Sequence, residues 1–190
     1  MSEVFKLDTA EAAKVKFEKE QPKLFRLVAE DDPLLQQVLP EFDFKNPPVD
    51  PELFASSLAE TCKMNHGIGL SANQCGFTHR VFVMGSEDGY VAYFNPAIVL
   101  KSKKEVHMLE GCLSFPFLGL RITRPEEIAV TYQDTNGEWK EAQFSGISAR
   151  CFQHELDHMN GIVYTSHAKQ MSLQSGMTKR NKILKKLRLR

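Results

Sequence analysis

The sequence predicts an α+β fold from three observations. A capped amphipathic helix opens at Asp50, the middle of the chain is a succession of β-forming runs, and from about Gly146 the apolar period becomes helical. Residues 1–23 are rich in charge and weakly periodic, which reads as an N-terminal extension with at most one helical stretch. LFRLVAEDDPLLQQVLPEF holds Pro33 and Pro40, so short pieces are expected there rather than one helix. In VDPELFASSLAETCKMNHG, Asp50 suits the N-cap and Pro51 the first helical position. Phe54, Leu58 and Cys62 then recur every four residues, and the helix should end near Gly67. RVFVMG, GYVAYFNPAIVL, GLRITR, EIAVTYQD and EWKEAQFS carry the Val, Ile, Tyr and Phe of strands. Thr135-Asn136-Gly137 marks a hairpin between Tyr132 and Trp139. Ile147, Cys151, His154 and His158 then fall on one helical stripe, and Ile183, Leu184 and Leu187 suggest a short amphipathic helix near the end.

At 190 residues the chain suits one domain with extensions and can bury a core. No apolar run approaches the ~20 residues that span a bilayer, and MSEVFKLDTAEAAK lacks the apolar core of a signal peptide. Cys62, Cys75, Cys112 and Cys151 form no CxxC pair and no disulfide-like spacing, so a reducing, cytoplasmic compartment is expected. The formal net charge of zero conceals an asymmetry. Asp157 is the last acid, and eight cations follow it: Lys169, Lys179, Arg180, Lys182, Lys185, Lys186, Arg188 and Arg190. Such a basic tail is either a solvated terminus or a contact for an anionic partner.

The chemistry is concentrated in CFQHELDHMNGIVY. Histidines four apart on a helix share a face and can chelate one ion, and the glutamate beside the first can act as a base. The open question is the third ligand. HExxHxxGxxH would place a histidine where Tyr164 stands, and a downstream carboxylate is excluded because none follows Asp157. His167 is the sole downstream histidine, at a spacing that fits neither pattern. Cys151 lies about 10.5 Å along the helix from His158, at ~1.5 Å per residue, too far for one ion. It reads instead as the floor of the site. Cys112, in the non-helical LEGCLSFP, is the stronger candidate, its alternative being a buried structural cysteine. One Cys and two His leave a tetrahedral ion with an open position, and these donors suit Zn, Fe, Ni or Co.

GIGLSANQ (67–74), EGCLS (110–114) and HELDH (154–158), in this order, resemble the three motifs of the peptide deformylase family. DDPLLQQVLP and AYFNPAIV extend the likeness over the chain from about residue 24. The resemblance implies mostly antiparallel sheets packed around a central metal-binding helix carrying HELDH. It implies a catalytic domain at 24–168 and a basic tail at 169–190. It also implies an enzyme that removes the N-formyl group from the formylmethionine of nascent polypeptides, releasing formate. Carried over by position, Cys112, His154 and His158 hold the metal and Glu155 is the general acid/base. Gln74 and the Leu113 N–H meet the formyl oxygen. Ile68, Ile147 and Cys151 take wall positions in a cavity for the substrate's methionine side chain, and Gly67, Gly69 and Gly111 fit a backbone that must approach the substrate closely. The ion implied is Fe2+, with Zn2+, Ni2+ or Co2+ as substitutes, in a monomer with no membrane partner. The basic tail is then a candidate contact for ribosomal RNA. Ser71 stands where the family usually has alanine, and its hydroxyl needs a partner. Two other readings are a metalloendopeptidase, disfavoured by Tyr164, and a binding protein with a structural metal.

Overall fold

The computed structural model describes residues 20–188. The expected helical stretch within residues 1–23 falls largely outside them. Between Asp32 and Gln37 the proline-punctuated segment makes only one 3-10 turn, Pro33–Gln36, capped by the Asp32 side chain. Helix α1 (Pro51–Met64) starts as its caps dictate: Asp50 accepts a hydrogen bond from the Leu53 N–H, at 2.7 Å. Ser57 and Thr61 on α1 accept the backbone N–H groups of Lys23 and Phe25, which ties the incoming chain to the helix.

Seven strands follow: β1 (Gly69–Ser71), β2 (Val81–Ser86), β3 (Gly89–Lys101), β4 (Glu105–Cys112), β5 (Phe115–Pro125), β6 (Glu127–Gln133) and β7 (Trp139–Ser145). They form a five-stranded antiparallel sheet in the order β1-β2-β3-β6-β7 and a separate β4-β5 hairpin. The Asn-Gly turn closes the β6-β7 hairpin, with Gly137 at φ +79°. Asn95 bends β3 at a left-handed φ of +48°. Its side chain bonds both the N–H and the C=O of Phe42, so a register break in the sheet also anchors the segment before α1.

Helix α2 (Gly146–Met159) carries HELDH and lies against the five-stranded sheet. Ala149, Cys151, Phe152, Leu156 and Met159 pack on Phe82, Met84, Tyr93, Ile128 and Val130. A second core joins α1 to β1, β2 and β3 through Phe54, Leu58, Leu70, Val83 and Phe94. After α2 the chain turns back at Gly161, whose φ is +68°; a Cβ there would stand 2.5 Å from the Gln36 carbonyl oxygen.

Helix α3 (Gln170–Arg188) corrects the sequence reading, which expected only a short terminal helix. Its 19 residues are held by tertiary contacts. Leu173 and Met177 join Leu118, Leu120 and Tyr164, and Gly176 passes so close to Leu120 that a Cβ would meet it at 2.9 Å. Arg180 is buried, donates to the Pro116 carbonyl and pairs with Glu30. It therefore does not belong to the exposed basic surface, which keeps Lys169, Lys179, Lys182, Lys185 and Lys186.

Candidate active site

The end of β4, the strand β1 with the 3-10 turn after it (Ala72–Cys75), and α2 meet at a cavity of about 540 Å³. That is the size of a small-ligand site. All six proposed pocket residues line it, from Gly67, Ile68 and Gly69 on one wall to Gly111, Ile147 and Cys151. Gln74, Leu113, Cys112, His154 and Glu155 line it as well. Ile68 and Ile147 are more than 60 % exposed, which leaves apolar surface at the mouth.

One ligand atom from each of Cys112, His154 and His158 lies within 4.8 Å of the other two. The Cys112 Sγ stands 3.3 Å from His158 Nε2. Two donors bound at ~2.3 and ~2.0 Å to one tetrahedral ion would be separated by about 3.5 Å, so the thiolate and imidazole spacing fits a metal. His154 turns Nδ1 toward Glu110 Oε2, 3.2 Å away, which leaves Nε2 for an ion. Burial favours neutral His154, but contacts with Cys112 and Glu110 outweigh it and hold the imidazole's pKa up at about 10. Ligation requires loss of that proton, so acid competes with metal for the site. At His158 burial and the neighbouring His154 act together to push the pKa well down.

Tyr164, at the last position of the extended protease pattern, and His167 beyond it are engaged elsewhere. Tyr164 is buried and donates to the Leu118 carbonyl at 2.8 Å, and His167 bonds Asp157 at 2.9 Å. Gln74 is fixed at both ends. Its Oε1 accepts the Ser71 N–H, and its Nε2 donates to Ser114 Oγ at 3.0 Å and toward Cys112 Sγ at 3.4 Å. The longer contact brings its amide up to one of the three candidate ligands. Glu155 is 4 % exposed, and burial raises its pKa against the opposing influence of His154 and Ser71. The Ser71 hydroxyl finds its partner there, 2.6 Å from Glu155 Oε2.

Sequence reasoning missed a buried ionic group behind the ligands. Arg124 on β5 binds Glu110 through Nε and Nη2, at 2.7 and 3.0 Å, and Asp157 through Nη1 at 2.7 Å. Arg150 also pairs with Glu110 and donates to the carbonyls of Val106 and Ile122. Glu110 and Asp157 lay inside the quoted motifs, so their presence was visible although their partners were not.

Residues 25–174 match the family model described as polypeptide deformylase. The chain belongs to the polypeptide deformylase family. A peptide deformylase of Wolbachia pipientis is 37 % identical over 141 residues, covering 67 % of this chain and 79 % of that protein. The solved peptide deformylase of Thermotoga maritima is 35 % identical, covers 77 % of this chain and 98 % of its own, and superposes with a TM-score of 0.70. That of Synechococcus elongatus reaches 0.77 at 28 % identity, covering 84 % and 91 %. The family assignment makes this chain an enzyme: a metal-dependent hydrolase that deformylates nascent peptides. No helix among the described residues is long and apolar enough to cross a membrane.

Proposed function

We propose that Cys112, His154 and His158 hold one divalent ion and that Glu155 carries the proton in hydrolysis of N-formylmethionyl chains. The supporting observation is the convergence of one thiol and two imidazoles within 4.8 Å, beside a buried glutamate, on the lining of one cavity. The ion would supply a Lewis acid and lower the pKa of water, with Fe2+ the native metal and Zn2+, Ni2+ or Co2+ as substitutes. Glu155 takes the proton that the attacking water loses and returns it to the departing methionine nitrogen. Gln74 Nε2 and the Leu113 N–H donate to the formyl oxygen as charge develops on it; one such donor is typically worth ~3 kcal/mol. To do so, Gln74 exchanges its long contact with Cys112 for the substrate and keeps Ser114. Ile68, Ile147 and Cys151 receive the methionine side chain, and Gly67, Gly69 and Gly111 let the backbone approach the substrate.

The test is formate release from formyl-Met peptides by anaerobically prepared protein with its metal measured. One ion per chain and one formate per amine freed are expected, with activity decaying in air for iron and persisting for nickel or zinc. Internal cleavage of unformylated peptides, or metal without formate release, would refute the assignment.

The catalytic unit is assigned to 24–168, with 1–23 an extension and 169–190 a basic C-terminal segment that packs on it through α3; the enzyme is assigned to a reducing cytoplasm. Lys179, Lys182 and Lys186 are exposed at helical spacing on α3, which supports docking on anionic ribosomal RNA. The full chain with Lys179, Lys182 and Lys186 replaced by Ala should then co-sediment less with ribosomes than the parent at low salt. Equal binding would remove the helix from this role.

A further inference from the structure

We propose that Ser71 is a positioning residue that fixes which carboxylate oxygen of Glu155 faces the substrate. The inference rests on the role given to Glu155 above and concerns how that role is enforced.

Strand β1 is three residues long and its side chains alternate between two faces. Leu70 points into the core against α1. Gly69 and Ser71 therefore share the other face, toward α2, and each is matched to one oxygen of Glu155. At Gly69 a Cβ would lie 2.5 Å from Glu155 Oε1 and 2.7 Å from Cys151 Sγ, so only glycine leaves room for that oxygen on the cavity wall. At Ser71 the hydroxyl donates to Oε2 at 2.6 Å, with the Glu155 carbonyl oxygen farther away at 3.2 Å. Among the described residues Oε1 has no hydrogen-bond partner.

Ser71 is fully buried, so no water competes for its single proton. A carboxylate can exchange its two oxygens by a half-turn of its terminal torsion, and that torsion is soft. The Ser71 proton breaks the symmetry. With Oε2 occupied by a donor, the proton that Glu155 accepts goes to Oε1, and the protonated acid is already turned toward the leaving nitrogen. The backbone of the same residue also sets Gln74, whose Oε1 accepts the Ser71 N–H at 2.9 Å. One position on a short strand thus aligns the proton carrier through its side chain and the oxyanion donor through its main chain.

The side-chain half is testable with the metal-loaded full chain. Ser71→Ala removes the hydroxyl, and Ser71→Cys keeps nearly the same volume with a much weaker donor. Both are expected to lower kcat about tenfold, with KM within twofold and metal content unchanged. In a Glu155→Gln background, Ser71→Ala should cause no further fall. Parental kcat in both Ser71 variants, with Glu155→Gln inactive, would overturn the positioning role and leave the base assignment standing. A rise in KM at constant kcat would also overturn it. If Glu155→Gln itself keeps parental kcat, the base assignment fails and takes this inference with it.

Discussion

Replacing Glu155 with Ala is expected to lower kcat for formate release by about 10³-fold or more, with the ion still bound. General acid–base catalysis is typically worth 10²–10⁴-fold, and here one group serves both as base toward water and as acid toward the amine. No neighbour can stand in. Glu110 is the other carboxylate on the cavity lining, but Arg124, Arg150 and His154 occupy both its oxygens. Although burial pushes its pKa up, His154 and Arg124 bring it down to about 2, which makes it a poor base at neutral pH. Glu155 is the reverse case, because burial dominates and raises its pKa above the usual 4.5. A raised carboxyl disfavours the folded state once pH climbs through it. Glu155→Gln should therefore melt no lower than the parent at neutral pH while losing activity. Formate release, metal content and a thermal melt on the same preparation check all three. Retention of more than a tenth of parental kcat would remove Glu155 from the proton's path.

What could be read from the sequence was local. Asp50 and Pro51 announced α1, Asn136-Gly137 announced a hairpin, and His154, Glu155 and His158 announced a site because their spacing is a property of one helix. Cys112 emerged by excluding every downstream ligand, and the structure brings its Sγ to His158. Strand β4 escaped because EVHMLEGC mixes charged and apolar residues without a turn marker before it. Of its own residues only Glu110 is buried, so it shows no apolar face of its own to read. Helix α3 read as short because Gly176 lowers helical propensity and its closely spaced lysines repel one another; packing of Leu173, Met177 and Arg180 against the rest of the fold overrides that. The Ser71–Glu155 bond spans 84 residues, and the Arg124 contacts span 14 and 33. No periodicity encodes such pairings, since they exist only once β1, β5 and α2 are packed.

Arg124→Met should destabilise the fold by about 3–5 kcal/mol, the range for removing one partner of a buried ion group. Arg124 and Glu110 side chains are 6 % and 4 % exposed, so neither carboxylate oxygen of Glu110 can turn to water instead. Asp157 loses its guanidinium contact as well, keeping His167. The pH dependence separates charge from packing. A carboxyl whose folded pKa is depressed from 4.5 to about 2 adds stability above pH 4.5, and that stability is lost as pH falls toward 2. Urea unfolding of metal-free parent and variant should therefore show the widest gap above pH 4.5, narrowing through that window. Adding Glu110→Gln to Arg124→Met should cost less than the sum of the two single changes, because the Arg124–Glu110 pair can be lost only once. A gap that is the same at every pH, with additive losses in the double variant, would assign the loss to packing of the Arg124 stem. The ion group behind His154 would then contribute shape to the metal site rather than charge.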